Sequence, residues 1–278
     1  EDKENKLLQL IINEIIVGQQ LISLQSGASN TFSFKTILPE FGTYTGMVEL
    51  DRDEKIEDNR FYFTLNIPYK NKIALISNSN ATTYYLKESL TALNKFGESL
   101  EVNEYISLQD SNLKLFQQDV VFIFNPEMLD LITDSIIEDY LYNGGHVILI
   151  PNRNSESSTF SYINNIAPHI SENYKKLDMH TLVSEAFQEI NLNSIQMNDI
   201  HKLFIDNIGI DRNIRFFKYI ALPFHPNHTK MQLNDGSSIW NRYEIHSGIL
   251  DVFGYAINLD WTNFPIKGSF LPFNHILL

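Results

Sequence analysis

Acidic side chains are concentrated in one short stretch of the chain, ELDRDEKIEDN at residues 49–59. Within it, Asp51, Asp53 and Asp58 lie at spacings that a calcium-binding loop could use. The EF-hand arrangement requires glycine at its sixth position, and counting from Asp51 that position is Ile56. We therefore expect a solvated hairpin whose turns are stabilised by Asp and Asn side chains, with the three aspartates kept as an alternative calcium site.

Two histidines, His225 and His228, are three residues apart in the segment PFHPNHTK. Pro223 and Pro226 prevent the helix that would place both imidazoles on one face, although a metal site in a loop would survive this. Surface or partly packed histidines are far commoner than metal ligands, so we expect no metal at this position.

A phosphate-binding loop requires the order strand, glycines, helix, and two stretches come near this pattern. Gly144 and Gly145 precede a strand instead of following one, so we interpret the pair as the cap of the preceding helix. The loop from Ser77 to Thr83 has the correct order, but it contains neither glycine nor a basic residue. Neither stretch predicts a nucleotide, and we expect no cofactor.

The hydrophobic pattern from residue 72 onward predicts strands that alternate with helices. Short apolar runs between turn residues are typical of buried parallel strands. The expected strands cover residues 73–76, 102–106, 120–124, 147–150, 214–222, 238–243 and 249–259. Helices are expected over 86–93 and 129–142, where apolar residues recur at spacings of three and four. This order predicts a parallel sheet with right-handed crossovers.

In open α/β sheets, ligands bind just beyond the carboxyl ends of the strands. The residues at those positions are Ser77 and Asn78, then Asn125, then Asn152 and Arg153. We predict that these five residues form a ligand surface. Asn152 and Arg153, with the proline before them, do not form a recognisable nucleophile, so we assign no catalytic residue.

Residues 1–69 show the pattern of β-structure. Apolar and polar residues alternate in the runs 32–34, 44–50 and 61–67, and turn residues separate these runs as in a small antiparallel sandwich. The segment PYKN that follows is a natural boundary, and we expect a second domain over 70–278.

Composition excludes several classes of function. The chain has 278 residues, no cysteine, and a formal net charge of −13 from 34 acidic and 21 basic residues. The negative charge disfavours nucleic acid and anionic lipid as partners. Without cysteine there is no disulfide, no thiolate zinc site and no cysteine nucleophile.

No apolar stretch in the sequence is long enough to cross a membrane. The chain starts without methionine and ends on an apolar segment, so we expect it to be a fragment of a longer protein.

Four parts of the chain together resemble one family. They are GTYTGMVELDRDEKIEDNRFYFTLNIP at 42–68, IALIS at 73–77 with its helix, NGGHVILIPN at 143–152, and a closing series of HKLF at 201–204, NDGSSIW at 234–240, LDVFGYAINLDWTNFP at 250–265 and GSFLPFNHILL at 268–278. These segments are similar to the C-terminal extracytoplasmic half of BatA-type membrane proteins, found chiefly in Bacteroidetes. Such proteins have an N-terminal double-transmembrane aerotolerance-regulator region and a von Willebrand factor A domain.

The resemblance implies an immunoglobulin-like β-sandwich over 1–69 joined to a flavodoxin-like, class I glutamine amidotransferase-like doubly wound domain over 70–278. It also implies a periplasmic or extracytoplasmic location, with the membrane anchor and the A domain outside this chain. True amidotransferases carry a nucleophilic cysteine after the strand equivalent to 147–150, with a histidine and a glutamate as partners. This chain has Pro151 and Asn152 there, so the resemblance implies that the fold is retained and the amidotransferase activity absent.

Two classes of function remain open. In the first, which we favour, the chain is a non-catalytic interaction module whose strand ends bind a protein or a glycan. In the second, it is a hydrolase that acts on glycans or peptides through carboxylates such as Asp251, Asp260 or Glu244. Two carboxylates, or a carboxylate and a histidine, converging in a pocket at the strand ends would favour the second class.

Overall fold

A computed structural model of the chain describes residues 3–24, 27–38, 41–51, 59–67, 69–124, 131–155, 177–182, 186–206 and 213–278. The chain divides into two compact units, Glu1–Lys70 and Asn71–Leu278. Each unit is built on a sheet of its own.

The first unit contains an antiparallel sheet of four strands, β1 Lys3–Ile12, β2 Ile15–Leu24, β3 Gly42–Leu50 and β4 Arg60–Ile67. The strand order across the sheet is β2-β1-β3-β4. Asn13 and Glu14 join β1 to β2 with φ values of 45° and 68°. Positive φ at both central residues is the geometry of a type I′ hairpin turn, so this turn sets the antiparallel pairing of β1 and β2.

The predicted immunoglobulin-like β-sandwich is wrong, because the described residues of this unit form one sheet and not two facing sheets. The run 32–34 is not a strand, and the ring of Phe34 instead lies against Gly18 of β2. In the same way the ring of Phe63 covers Gly46, its partner across the β3–β4 pair. Alternation of apolar and polar residues shows that a strand has two unlike faces, but it does not show what covers the apolar one.

The second unit is built around a seven-stranded mixed sheet. Its elements in chain order are β5 Asn71–Ile76, α1 Asn80–Lys95, β6 Leu100–Tyr105, β7 Val120–Phe124, α2 Leu131–Tyr142, β8 His146–Ile150, β9 Asp178–Thr181, α3 Asn198–Asp206, β10 Lys218–Ala221, β11 Thr229–Gln232, β12 Ser238–Ile245, β13 Gly248–Phe253 and α4 Phe270–Leu277. The strand order is β11-β12-β13-β8-β7-β5-β6, and β9 pairs with β10 in a separate sheet. The five strands from β13 to β6 run parallel to one another.

The predicted flavodoxin-like doubly wound domain is also wrong, since this sheet is mixed. Strand β12 is antiparallel to β13, and β11 is antiparallel to β12. Only His246 and Ser247 connect β12 to β13, and a connection of two residues can join strands only as an antiparallel hairpin. The φ of 54° at His246 suits such a turn. The expected strand at 238–243 was close to β12, but its predicted parallel direction was wrong. The expected strand at 249–259 runs parallel as predicted, but it ends at Phe253, six residues earlier than expected.

The core of the second unit lies on both faces of its central strands. Every residue of β7 is buried, as are the last four residues of β5 and of β8.

Helix α2 ends at the predicted glycine cap, where Gly144 has a φ of 90° and the Gly145 N–H donates to the carbonyl of Tyr140 at 3.0 Å. In the described parts of both units, no helix has the length and apolar character needed to span a membrane.

Candidate functional site

A cleft of about 410 Å³ lies in the second unit at the point where β5 and β8 end. Its described lining consists of Asn78, Ser79, Thr82, Tyr85, Asn152, Arg153, Asn154, Asn258, Leu259 and Asp260. The volume falls within the range of roughly 300–1,000 Å³ that is usual for small-ligand sites. Nine of these ten residues have a side chain that can form hydrogen bonds, and Leu259 is the exception. Such a cleft suits a ligand with many hydrogen-bonding groups.

The first wall of the cleft is the turn between β5 and α1. The buried hydroxyl of Ser77 accepts a hydrogen bond from the N–H of Ser79 at 3.2 Å and donates to its carbonyl at 3.1 Å. These bonds close the turn, and Ser79, with a φ of −150°, directly precedes α1. Ser77 therefore stabilises the turn from its buried side, while Asn78 and Ser79 line the cleft.

The second wall is the turn that follows β8. Pro151 ends the strand because it has no N–H for the ladder. The side-chain oxygen of Asn152 then accepts a hydrogen bond from the N–H of Asn154 at 2.5 Å, and the N–H of Asn152 donates to the Ser155 hydroxyl at 2.8 Å. The turn is thus fixed by the Asn152 side chain, whereas the side chain of Asn154 is exposed on its surface.

The third wall is the turn after β13, whose carboxyl end lies beside that of β8 because the two strands pair in parallel. The side-chain oxygen of Asn258 accepts hydrogen bonds from the N–H groups of Asp260 and Trp261, at 3.0 and 3.2 Å. The fully buried Trp261 donates its indole N–H to the carbonyl of Arg153 at 3.1 Å. This bond joins the third wall to the second.

The Arg153 guanidinium forms an ion pair with the Asp260 carboxylate. The two side chains are 72% and 52% exposed, so the pair adds little to stability, about 0–1 kcal/mol. Its effect on the site is electrostatic. Because these are the only charged groups in the described lining, that lining carries no net charge.

The structure places the five residues predicted to form a ligand surface in different settings. Asn78, Asn152 and Arg153 line the cleft. Ser77 is buried beneath it, and Asn125 lies outside the described residues.

Four further lining residues, Tyr85, Asn154, Asn258 and Leu259, were not singled out from the sequence. Tyr85 lies in the second turn of α1, so it faces the same end of the sheet as the start of the helix. Asn258 and Leu259 belong to the turn after β13. The turn-forming residues Asn258 and Asp260 would have indicated that the strand expected over 249–259 ends before them.

Of the three candidate calcium ligands, only Asp51 lies within the described residues, and Asp53 and Asp58 do not. The Asp51 carboxylate accepts a hydrogen bond from the N–H of Leu7 at 3.0 Å, while its own N–H donates to the Leu7 carbonyl at 2.9 Å. Asp51 therefore extends the pairing between β3 and β1.

The carboxylates considered for hydrolysis do not converge. Asp260 lines the cleft and Glu244 is exposed on β12. Asp251 is fully buried and contacts His146 at 2.8 Å, but His146 is the first residue of β8, at the opposite end of that strand from the cleft. The carboxylate–histidine pair is thus part of the core.

A ring of donors surrounds Asp251. Its carboxylate accepts hydrogen bonds from the Trp240 indole at 2.7 Å and from Arg242 Nη2 at 2.6 Å, besides the contact with His146. Burial alone would raise the pKa of the Asp251 carboxyl, but the hydrogen bonds from His146 and Arg242 outweigh it and lower the pKa below its usual range. Asp251 is therefore ionised in the folded protein at neutral pH.

The two histidines of the PFHPNHTK segment lie side by side, with ring centroids 4.4 Å apart. Nδ1 of His225 accepts a hydrogen bond from the N–H of Asn227 at 3.3 Å, and the His228 ring packs on Tyr243. Throughout the ranges that the structure describes, no three His, Asp or Glu side chains are grouped so as to hold a metal ion.

No protein-family profile matches this chain, and no curated protein matches it in sequence. Similar solved structures include a cytoplasmic protein from Salmonella typhimurium, with 14% identity, a TM-score of 0.43, and coverage of 84% of this chain and 94% of that one. A cold-adapted β-galactosidase from Rahnella sp. R3 has 9% identity and a TM-score of 0.47, and the match covers 75% of this chain and 31% of the galactosidase. An exo-β-1,4-mannosidase from an Opitutaceae bacterium has 10% identity and a TM-score of 0.41, and the match covers 74% of this chain and 33% of the mannosidase. The chain thus spans about a third of each glycosidase, and these scores are too low to establish a shared fold.

Proposed function

We propose that the chain is a non-catalytic interaction module and that the cleft beyond β5 and β8 holds its ligand. The observation that carries this proposal is the chemistry of the lining. Amide and hydroxyl side chains such as those of Asn78, Thr82 and Asn154 line the cleft, and these groups form hydrogen bonds without gaining or losing protons near neutral pH. The one carboxylate of the described lining, Asp260, is paired with Arg153. Such a surface recognises a ligand and leaves it intact.

The positions of the other carboxylates support the same proposal. Hydrolysis of a glycoside by an acid and a base requires two carboxylates flanking the bond to be cleaved. Asp251 is bonded within the core, and Glu244 lies on the exposed surface of β12 outside the described lining. Asp260 therefore has no carboxylate partner among the described lining residues.

The resemblance to BatA-type proteins adds a cellular setting to the proposal. On that basis the module lies on the periplasmic or extracytoplasmic side of the inner membrane, tethered by segments outside this chain. Its partner there is a protein or a glycan.

The test is to incubate the protein with neutral oligosaccharides, acidic oligosaccharides and peptides, measuring both the unfolding midpoint and the products by mass spectrometry. We expect one class of ligand to raise the midpoint, since a ligand that binds only the folded state stabilises it. We also expect that ligand to be recovered intact. Product formation that Asp260→Asn abolishes would show that the chain is a hydrolase instead.

A further inference from the structure

We propose that the ligand of the cleft is a neutral oligosaccharide. This inference rests on the proposed function, because it assigns a ligand class to the same cleft. It follows from three properties of the lining: its hydrogen-bonding groups, its charge and its aromatic surface.

The hydrogen-bonding groups match those of a sugar. Amide side chains can form hydrogen bonds to the hydroxyls of a sugar ring, although the side-chain oxygens of Asn152 and Asn258 already accept backbone N–H groups. Four asparagines line the cleft, together with the hydroxyls of Ser79 and Thr82. The side-chain oxygen of Asn258 is already bonded to two backbone N–H groups, so its NH₂ group is the part left to donate to a ligand.

The charge of the cleft favours a neutral ligand. Arg153 and Asp260 neutralise one another, and the remaining lining residues are uncharged. The chain as a whole has a net charge of −13, which repels sulfated, phosphorylated or carboxylated ligands. The negative charge of the chain would thus repel an acidic glycan, and among the described lining residues the only cation, Arg153, is already paired with Asp260.

Tyr85 supplies the aromatic surface. Its ring is half-buried in the cleft wall and makes an edge contact with Tyr84, whose side chain is 55% exposed, at 5.3 Å between centroids. A tyrosine ring is amphipathic, so its face can pack against the apolar C–H face of a sugar while its hydroxyl is a group that can form hydrogen bonds. Leu259 is the one aliphatic residue of the described lining.

The experiment is a printed array of peptides and of neutral, sialylated and sulfated oligosaccharides probed with the whole chain, followed by calorimetric titration of the best binder. A matched pair of variants locates the site. Asn154 and Asn112 are both exposed and each donates its N–H to a side chain two residues earlier, Asn152 or Asp110. Asn154 lines the cleft and Asn112 does not, so alanine at either position keeps the turn and only Asn154→Ala removes a cleft amide.

We expect binding confined to neutral oligosaccharides, weakened about tenfold by Asn154→Ala, weakened further by Tyr85→Ala, and unchanged by Asn112→Ala. Binding of acidic glycans alone, or neutral binding that both cleft variants leave unchanged, would overturn the inference. Peptide binding lost in the cleft variants would overturn it too, while the proposed function would stand. A chain that binds no oligosaccharide and no peptide would overturn both.

Discussion

Trp261 donates its indole N–H to the backbone carbonyl of Arg153, 108 residues away in sequence, at 3.1 Å. Trp261 is fully buried, and the ammonium of Lys218 lies 4.4 Å from the centre of its ring. One hydrogen bond thus joins the turn after β8 to the turn after β13, and with them two of the three walls of the cleft.

Trp261→Phe tests this link. The change keeps an aromatic ring in the core but leaves the Arg153 carbonyl without its donor, so we expect a loss of about 1 kcal/mol of unfolding free energy in urea. We also expect weaker ligand binding, because the two walls are no longer joined. Trp240→Phe is the matched control, since Trp240 is equally buried but donates to Asp251. That variant should lose about 1.5–3 kcal/mol of stability and keep its affinity, and an equal loss of affinity in both variants would contradict the account.

Asp251→Asn should be strongly destabilising, by about 3–5 kcal/mol, because it leaves Arg242 partly buried without its counter-ion. The pKa of Asp251 in the folded state lies below its ordinary value. The carboxylate therefore contributes its full stabilisation above the unfolded-state pKa of about 3.9, and this contribution is lost as the pH falls through the lower folded-state pKa. Unfolding free energies measured from neutral to acid pH should decline steeply for the wild type at the acid end and less for the variant. Parallel curves would refute this role for Asp251.

Gly248→Ala tests the tight packing of β13 against the end of α2. A Cβ at this position would lie 2.5 Å from the carbonyl oxygens of Gly145 and Leu141, which are backbone atoms and cannot turn away. We expect a cost of about 3 kcal/mol. At Gly236 a Cβ meets open space and only the φ of +87° opposes it, so Gly236→Ala should cost about 1 kcal/mol. Thermal unfolding midpoints would show the difference, and a larger drop for Gly236→Ala would contradict it.

Asp51 is predicted to be structural and not a calcium ligand. Asp51→Ala removes the acceptor for the Leu7 N–H and should cost about 1 kcal/mol, whereas Asp51→Asn keeps an acceptor and should cost less. Added calcium or chelator should leave the unfolding midpoint of the wild type unchanged. A calcium-dependent rise in the midpoint that disappears in Asp51→Ala would restore the calcium site.

The sequence predicted the strands and helices between residues 71 and 150 well, the elements outside this region less well, and the architecture poorly. Wholly apolar runs such as Val120–Phe124 allow only a buried strand, and their period and flanking residues carry that information locally. The direction of β12 depends on two residues, His246 and Ser247, and so on the geometry of one turn. In the first unit the runs 44–50 and 61–67 are strands, but the run 32–34 is not, and β1 and β2 were not among the expected runs. The number of sheets was also wrong, because the same alternation suits a single sheet and a sandwich.

The candidate site shows the same limit. Asn152 and Arg153 follow directly from the end of a recognisable strand. Asn258 and Asp260 reach the cleft only because β13 pairs in parallel with β8, a long-range contact that one sequence does not reveal. Whether Tyr85 lines the cleft depends on where α1 begins, and the spacing of apolar residues predicts the start of a helix only to within a residue or two.

The central claim is that the cleft joined by Trp261 and Arg153 binds a ligand without changing it. The most direct measurement is a calorimetric titration of the wild type and Trp261→Phe with the best-binding neutral oligosaccharide, followed by mass spectrometry of the recovered sugar. The account predicts a saturable change in the wild type, a diminished change in the variant, and a sugar recovered intact. A cleaved sugar, or a titration with no saturable change in the wild type, would contradict it.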